Sequence, residues 1–219
     1  AVRAEEASHV ILIDAIARLT RRPRGTKVPV APGEFVQAYY RGVGEEDLQL
    51  RAPRDFAAAA AGHLAFGAVR KPGEPRVRVF NPAAADGWTS THTIVELVTD
   101  DMPFLVDSLA VVLGDSRLSI QLMIHPVLRM ARDGRGRLLG MAPADGERGI
   151  AESWQHVAIP LIGDPQRLEQ LRSNILRMLE DVRLAVHDWP AMRRRALEIA
   201  QEVHAGVAAI PRREEKEAV

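Results

Sequence analysis

The chain has 219 residues, 47% hydrophobic and 26% charged, a balance that suits a soluble globular protein of one or two domains with a sizeable core. Its 29 basic and 29 acidic side chains cancel, so no long-range pull toward nucleic acid is expected, and no apolar run approaches membrane-spanning length. Cysteine is absent, which excludes disulfides and thiolate metal sites and is compatible with the expected cytoplasmic location.

The opening, A-V-R-A-E-E-A-S, is too polar for a signal peptide, and a start on Ala1 suits a piece of a longer chain. Residues 4–20 have helical spacing, with Leu12, Ile16 and Leu19 on one stripe, until R-R-P-R-G breaks it. Residues 33–41 predict a short helix carrying Phe35, Val36, Tyr39 and Tyr40. Pro53 opens another, rich in Ala, with Phe56, Leu64 and Phe66. K-P-G-E-P at 71–75 is a turn. It divides a helical amino-terminal segment, 1–75, from an α+β domain over 76–189; residues 190–219 are expected to form a terminal helix and a linker to downstream domains.

From Arg76 the apolar period changes to two. Strands are predicted at Arg76–Phe80 and Thr93–Thr99, then a helix over 103–114 with Leu105, Leu109, Val112 and Leu113 inward. Leu118–Met130 alternates. Ile120, Leu122, Ile124, Leu128 and Met130 share one face; Gln121, Met123, His125, Val127 and Arg129 share the other. D-G-R-G at 133–136 reads as a hairpin turn, and Trp154–Leu161 as the next strand. Asp164 caps a helix with Leu168, Leu171, Ile175 and Leu179 on its stripe. A last strand, Val182–Val186, and a helix from Pro190 with Met192, Ala196, Ile199 and Val203 inward complete the reading. Strand, helix, strand, strand, helix, strand is the ferredoxin-like order, an antiparallel βαββαβ sheet with both helices on one face and the other face open.

Little chemistry is visible. No G-x-G-x-x-G/A loop occurs, and Lys27, Lys71 and Lys216 sit beside a Pro-rich stretch, in a turn and in a charged tail, so neither a nucleotide fold nor a reactive lysine is expected. Ser108 lies within a helix and no G-x-S-x-G surrounds it. His125 and His156 are placed on one side of the sheet beside Glu96, as a polar patch rather than a metal site. Arg193, Arg194, Arg195, Arg212 and Arg213 read as solvated charge. No catalytic, cofactor-binding or metal-ligating residue is assigned. The open face, with Met123, His125, Val127 and Arg129, is the candidate interface.

Several long words are shared with one family. F-V-Q-A-Y-Y-R-G-V-G-E-E-D-L (35–48), V-R-V-F-N-P (77–82), G-W-T-S-T-H-T-I-V-E-L-V-T-D-D-M-P-F-L-V-D-S (87–108), I-H-P-V-L-R (124–129) and E-S-W-Q-H-V (152–157) resemble the amino-terminal region of the large bacterial NAD-specific glutamate dehydrogenases. The resemblance implies the first of several ACT-like domains in a parent that deaminates L-glutamate to 2-oxoglutarate and ammonia with NAD. This part would hold no cofactor. Its partners would be downstream domains, homo-oligomer subunits and an amino-acid effector, with no nucleic acid or membrane. The loop Asp100, Asp101, Met102, Pro103, Phe104 is similar to the D-x-P-G-L-L effector loop of ACT domains, with Phe104 in the Gly position and expected to fill the ligand's space. The implied role is regulation or assembly; the alternative is a stand-alone ACT-like amino-acid-binding protein.

Overall fold

The computed structural model describes residues 2–22, 28–143 and 148–209. Lys27, Lys216, Arg212 and Arg213 lie outside them. Four helices come first: α1 (Val2–Leu19), α2 (Pro32–Tyr39), α3 (Glu45–Leu48) and α4 (Pro53–Phe66). Pro32 and Pro53 each sit at the start of a helix, where their missing N–H is no loss. The strands are β1 (Arg76–Phe80), β2 (His92–Asp100), β3 (Leu122–Ile124), β4 (Val127–Arg132), β5 (Leu138–Met141) and β6 (Ile150–Pro160). Helix α5 (Leu105–Asp115) follows β2, and α6 (Pro165–Ala209) follows β6.

All the strands join one antiparallel sheet in the order β1-β2-β6-β4-β5, with β3 also on β6. The alternating stretch around Met123 is broken at His125-Pro126 because proline cannot donate to the ladder. The register survives the break: Ile124 faces His156 and Val127 faces Ser153. The predicted 133–136 hairpin is present, its Asp133 carboxylate accepting the N–H groups of Arg135 and Arg137 at 2.9 Å each. The Asp164 carboxylate caps α6 by accepting the Gln166 N–H at 2.9 Å.

The α+β class holds, with two changes. First, Val182–Val186 is not a strand. It continues α6, because Leu171, Ile175, Met178, Leu179 and Val182 already run as one helical stripe, buried against the sheet. The edge position left vacant is filled by β1, which pairs antiparallel with β2 from Arg76↔Val98 to Phe80↔Ile94. The chain thus supplies its edge strand from before the unit instead of after it.

Second, the centre of the sheet is covered on both faces, while β4 and β5 stay partly exposed on one side. Strand β2 is buried along both sides. Val95 and Leu97 meet α5 and α6 in one apolar cluster; Ile94 and Val98 meet α1, α2 and α4 in the other. Leu122, Ile124, Leu128 and Met130 belong to the second cluster, beneath the amino-terminal helices. The layering is helix, sheet, helix.

Candidate functional site

The polar groups that matter are buried between the sheet and α4. Strand β2 contributes Glu96, and the register sets His156 directly across from it. The two meet at 3.0 Å between Nδ1 and Oε1. From β1, Arg78 donates Nε–H and an Nη2–H to the other carboxylate oxygen at 2.7 and 2.6 Å. Its guanidinium lies between the rings of Phe66 and Phe80, 4.8 and 4.2 Å from their centres. From above, α4 lowers His63, whose Nδ1 is 2.7 Å from the Tyr39 hydroxyl. Glu96, His63 and His156 are all buried.

Burial pushes the Glu96 carboxyl up, but His63, the His156 hydrogen bond and Arg78 outweigh it and hold it at about 2. Burial pushes His63 down to about 4, against the pull of Glu96. Burial also drives both Tyr39 and Tyr40 well above the usual tyrosine range. The hydroxyl of Tyr40 finds the Phe56 carbonyl at 2.8 Å.

Ligating atoms of His63, Glu96 and His156 lie within 4.8 Å of one another, and Nε2 of His63 has no hydrogen-bond partner among the described residues. The trio has the residue types of a metal centre. The charges argue otherwise: Arg78 already balances Glu96, so a divalent ion would bring two uncompensated charges into the core. Arg78, Glu96 and His156 form a polar bolt across β1, β2 and β6, with His63 of α4 packed over it.

A second buried network lies at the far end of β2. Arg70 and Arg132, both nearly inaccessible, converge on the Glu152 carboxylate at 2.7 and 2.6 Å. Arg70 also reaches Asp100 at 2.6 Å, and the Trp154 indole N–H reaches Glu152 at 3.2 Å. Two cations and two anions balance. The network pins the segment after α4 to β2, β4 and β6.

Asp100, the first residue of the candidate effector loop, is therefore committed to Arg70. Asp101 is exposed, and its N–H is held by the Ala151 carbonyl at 2.9 Å. Met102 packs against the α5–α6 cluster, and Pro103 is exposed. Phe104, expected to fill the ligand's space, is open to solvent. It is 66% exposed, on a backbone at φ 71°, the left-handed conformation for which glycine is suited. The backbone takes a bend that glycine would make readily, and the aromatic ring is turned outward.

The strip Met123, His125, Val127, Arg129 lies on the α5–α6 side of the sheet. Met123 is half-buried against that cluster, Arg129 is half-buried, and His125 and Val127 are exposed, Val127 by 51%. His125 points away from His156, since Ile124 is the residue opposite His156 on that face. Sequence reasoning paired Glu96 with His156 but missed His63, Arg70 and Glu152. The signals were there: a lone His in an Ala-rich helix stripe, and a Glu inside a strand two residues from a Trp.

The fold is thus an ACT-like α+β domain whose polar residues serve mainly to hold layers together. Residues 35–175 match the family model for the glutamate dehydrogenase ACT1 domain, and the chain belongs to that family. It is 34% identical over 174 residues to an NAD-specific glutamate dehydrogenase of Halomonas elongata, covering 78% of this chain and 11% of that protein. An NAD-specific glutamate dehydrogenase of Pseudomonas aeruginosa is 34% identical over 147 residues, 66% of this chain and 9% of that one. One from Mycobacterium tuberculosis is 28% identical over 143 residues, with 64% and 9% covered. The chain thus spans about a tenth of these relatives' length. No solved structure matches it significantly. Among the described residues no helix is long and apolar enough to cross a membrane.

Proposed function

We propose that this chain is a non-catalytic amino-terminal regulatory and assembly region of a large NAD-specific glutamate dehydrogenase, a cytoplasmic enzyme that converts L-glutamate, with NAD, to 2-oxoglutarate and ammonia. The observation that carries it is the ACT1 match over 35–175 on a chain covering 11% of a relative so named. The lack of a nucleotide-binding glycine loop in the sequence fits a division in which other parts of the polypeptide do the chemistry. That coverage disfavours the stand-alone amino-acid-binding reading.

Assembly would use the exposed part of the strip, His125 and Val127, against another subunit or a neighbouring domain. In the 100–104 loop Asp100 already holds Arg70 through one oxygen and the other loop side chains are Asp101, Met102, Pro103 and Phe104, so tight binding of a free amino acid there is not expected. The purified chain should give no glutamate-dependent NAD reduction, while the full polypeptide from the same gene should. Turnover by the isolated chain that survives removal of contaminants, or a reading frame stopping just after Val219, would overturn the reading. Val127→Asp in the full polypeptide should shift its sedimentation toward smaller species if the strip is an interface.

A further inference from the structure

The chain is neutral overall, yet one concavity is not. Between the end of α1, the outer side of α4 and the β1 edge lies a cleft of about 760 Å³, within the usual range of about 300–1,000 Å³ for small-molecule sites. Among the described residues, Arg21, Arg22, Arg54 and Arg78 line it, against one carboxylate, Asp86. Its α4 wall is Ala57, Ala58, Ala61, Gly62 and Ala65, so no long side chain of that helix occupies the space. Arg54 is little neutralised: its side chain is 83% exposed and its ion pair with Asp55 is 3.8 Å long. Arg78 is fixed in place by Glu96 and by the two phenyl rings. Glu96 takes only two of its five N–H donors, so a pre-positioned fork remains at the cleft.

We propose that this cleft is a binding site for a compact oxyanion of charge two, a phosphate or a dicarboxylate, held by Arg22, Arg54 and Arg78. Guanidinium forks match both ligands bidentately, and a concave low-dielectric wall strengthens the pairing over that at a flat surface. Of the four arginines among the described lining residues, Glu96 balances Arg78 and Asp86 offsets one more, so a monoanion would leave one of the remaining two charges unbalanced. The site is separate from the 100–104 loop, and it stands whether or not the parent enzyme is a glutamate dehydrogenase.

The test uses the 219-residue chain at low ionic strength, titrated by calorimetry with inorganic phosphate and, separately, with succinate. The intrinsic tryptophan fluorescence, to which Trp88 in the same cleft contributes, is followed alongside. At least one probe should bind well beyond chloride at equal ionic strength, and the stronger probe identifies the source of the oxyanion. Arg22→Gln and Arg54→Gln should each weaken it by roughly tenfold, as loss of a charged hydrogen bond would. Both side chains are on the surface, so unchanged thermal melts will confirm folding. Arg135→Gln, which does not line the cleft, should leave binding unchanged. No binding by either probe, or binding indifferent to Arg22 and Arg54, overturns the site; either result leaves the ACT1 family membership untouched.

Discussion

Gly67 sits where α4 ends, and a Cβ added there would lie 2.2 Å from Cη2 of the Trp154 indole. Its φ of −83° is ordinary for any residue, so space alone demands glycine. Trp154 cannot retreat, because it is fully buried among Phe35 and His63 and tied to Glu152. Gly67→Ala should therefore destabilise the chain by about 1–3 kcal/mol through overpacking, seen as a lower urea midpoint. The His63–Glu96 pair gives a pH dependence of definite sign. In the unfolded chain His63 takes up a proton near 6.5, but the folded chain resists until about 4. Glu96 protonates near 4.5 unfolded and near 2 folded. In both windows the unfolded state binds more protons, so stability should fall steadily from pH 6.5 downward. A urea midpoint flat between pH 6.5 and 4 would show that the bolt is not set as described. These residues were only half legible beforehand. Cross-strand neighbours such as Glu96 and His156 follow from alternation and register. A partner from a helix more than 30 positions earlier, such as His63, follows only from the packing of one layer on another.

Among the elements, α6 departs most from local expectation. V-R-L-A-V alternates like a strand, yet it lies on a helix that Asp164 has already capped and that Leu171 and Ile175 have already docked. Once a helix is nucleated, each added residue costs little, so a short alternating stretch is carried along. The inward stripe expected beyond Pro190 is also absent: Met192, Ile199 and Val203 are exposed, as is Trp189. Val186 is the last residue seen to pack against the sheet's cluster. Ending the chain after His187 should thus leave the melting temperature of the body unchanged while lowering helical ellipticity. A large fall in melting temperature would mean that the outer half of α6 folds back onto the domain. The outer Arg195 pairs with Glu198 and Glu202 at 3.2 and 3.3 Å, consistent with charge that is solvated.

At the scale of the molecule, one sheet divides two apolar cores. The larger holds Ile16, Phe35, Val36, Tyr39, Tyr40, Phe56 and Leu64 from the helices, with Ile94, Val98, Leu122, Ile124, Leu128, Met130 and Trp154 from the strands. A chain beginning at residue 72 would bare the strand half of that core and lose Arg70 and His63 from the two buried networks. It should aggregate or bind hydrophobic dyes, even though it keeps the whole α+β unit; a soluble, cooperatively melting product would refute this. The α+β class and most strands could be read from period and turn chemistry. The number of layers could not, because a strand buried on both sides shows the same apolar run whichever helices cover it. Parts of the shared family words are core residues: F-V-Q-A-Y-Y supplies four of them, and E-S-W-Q-H-V supplies Glu152, Trp154 and His156.

The length of α6 carries one more consequence, a matter of phase. Its 45 residues measure about 68 Å at roughly 1.5 Å each, and the stretch beyond Val186 extends about 35 Å past the docked part. Whatever chain continues from such an arm has both its distance and its azimuth set by residue count. Each inserted residue would turn it by about 100° and advance it by about 1.5 Å. Insertions after His187 in a longer polypeptide should then act periodically. Eleven added alanines, close to three whole turns, would restore the original heading at a longer reach, while two would point the continuation nearly backwards.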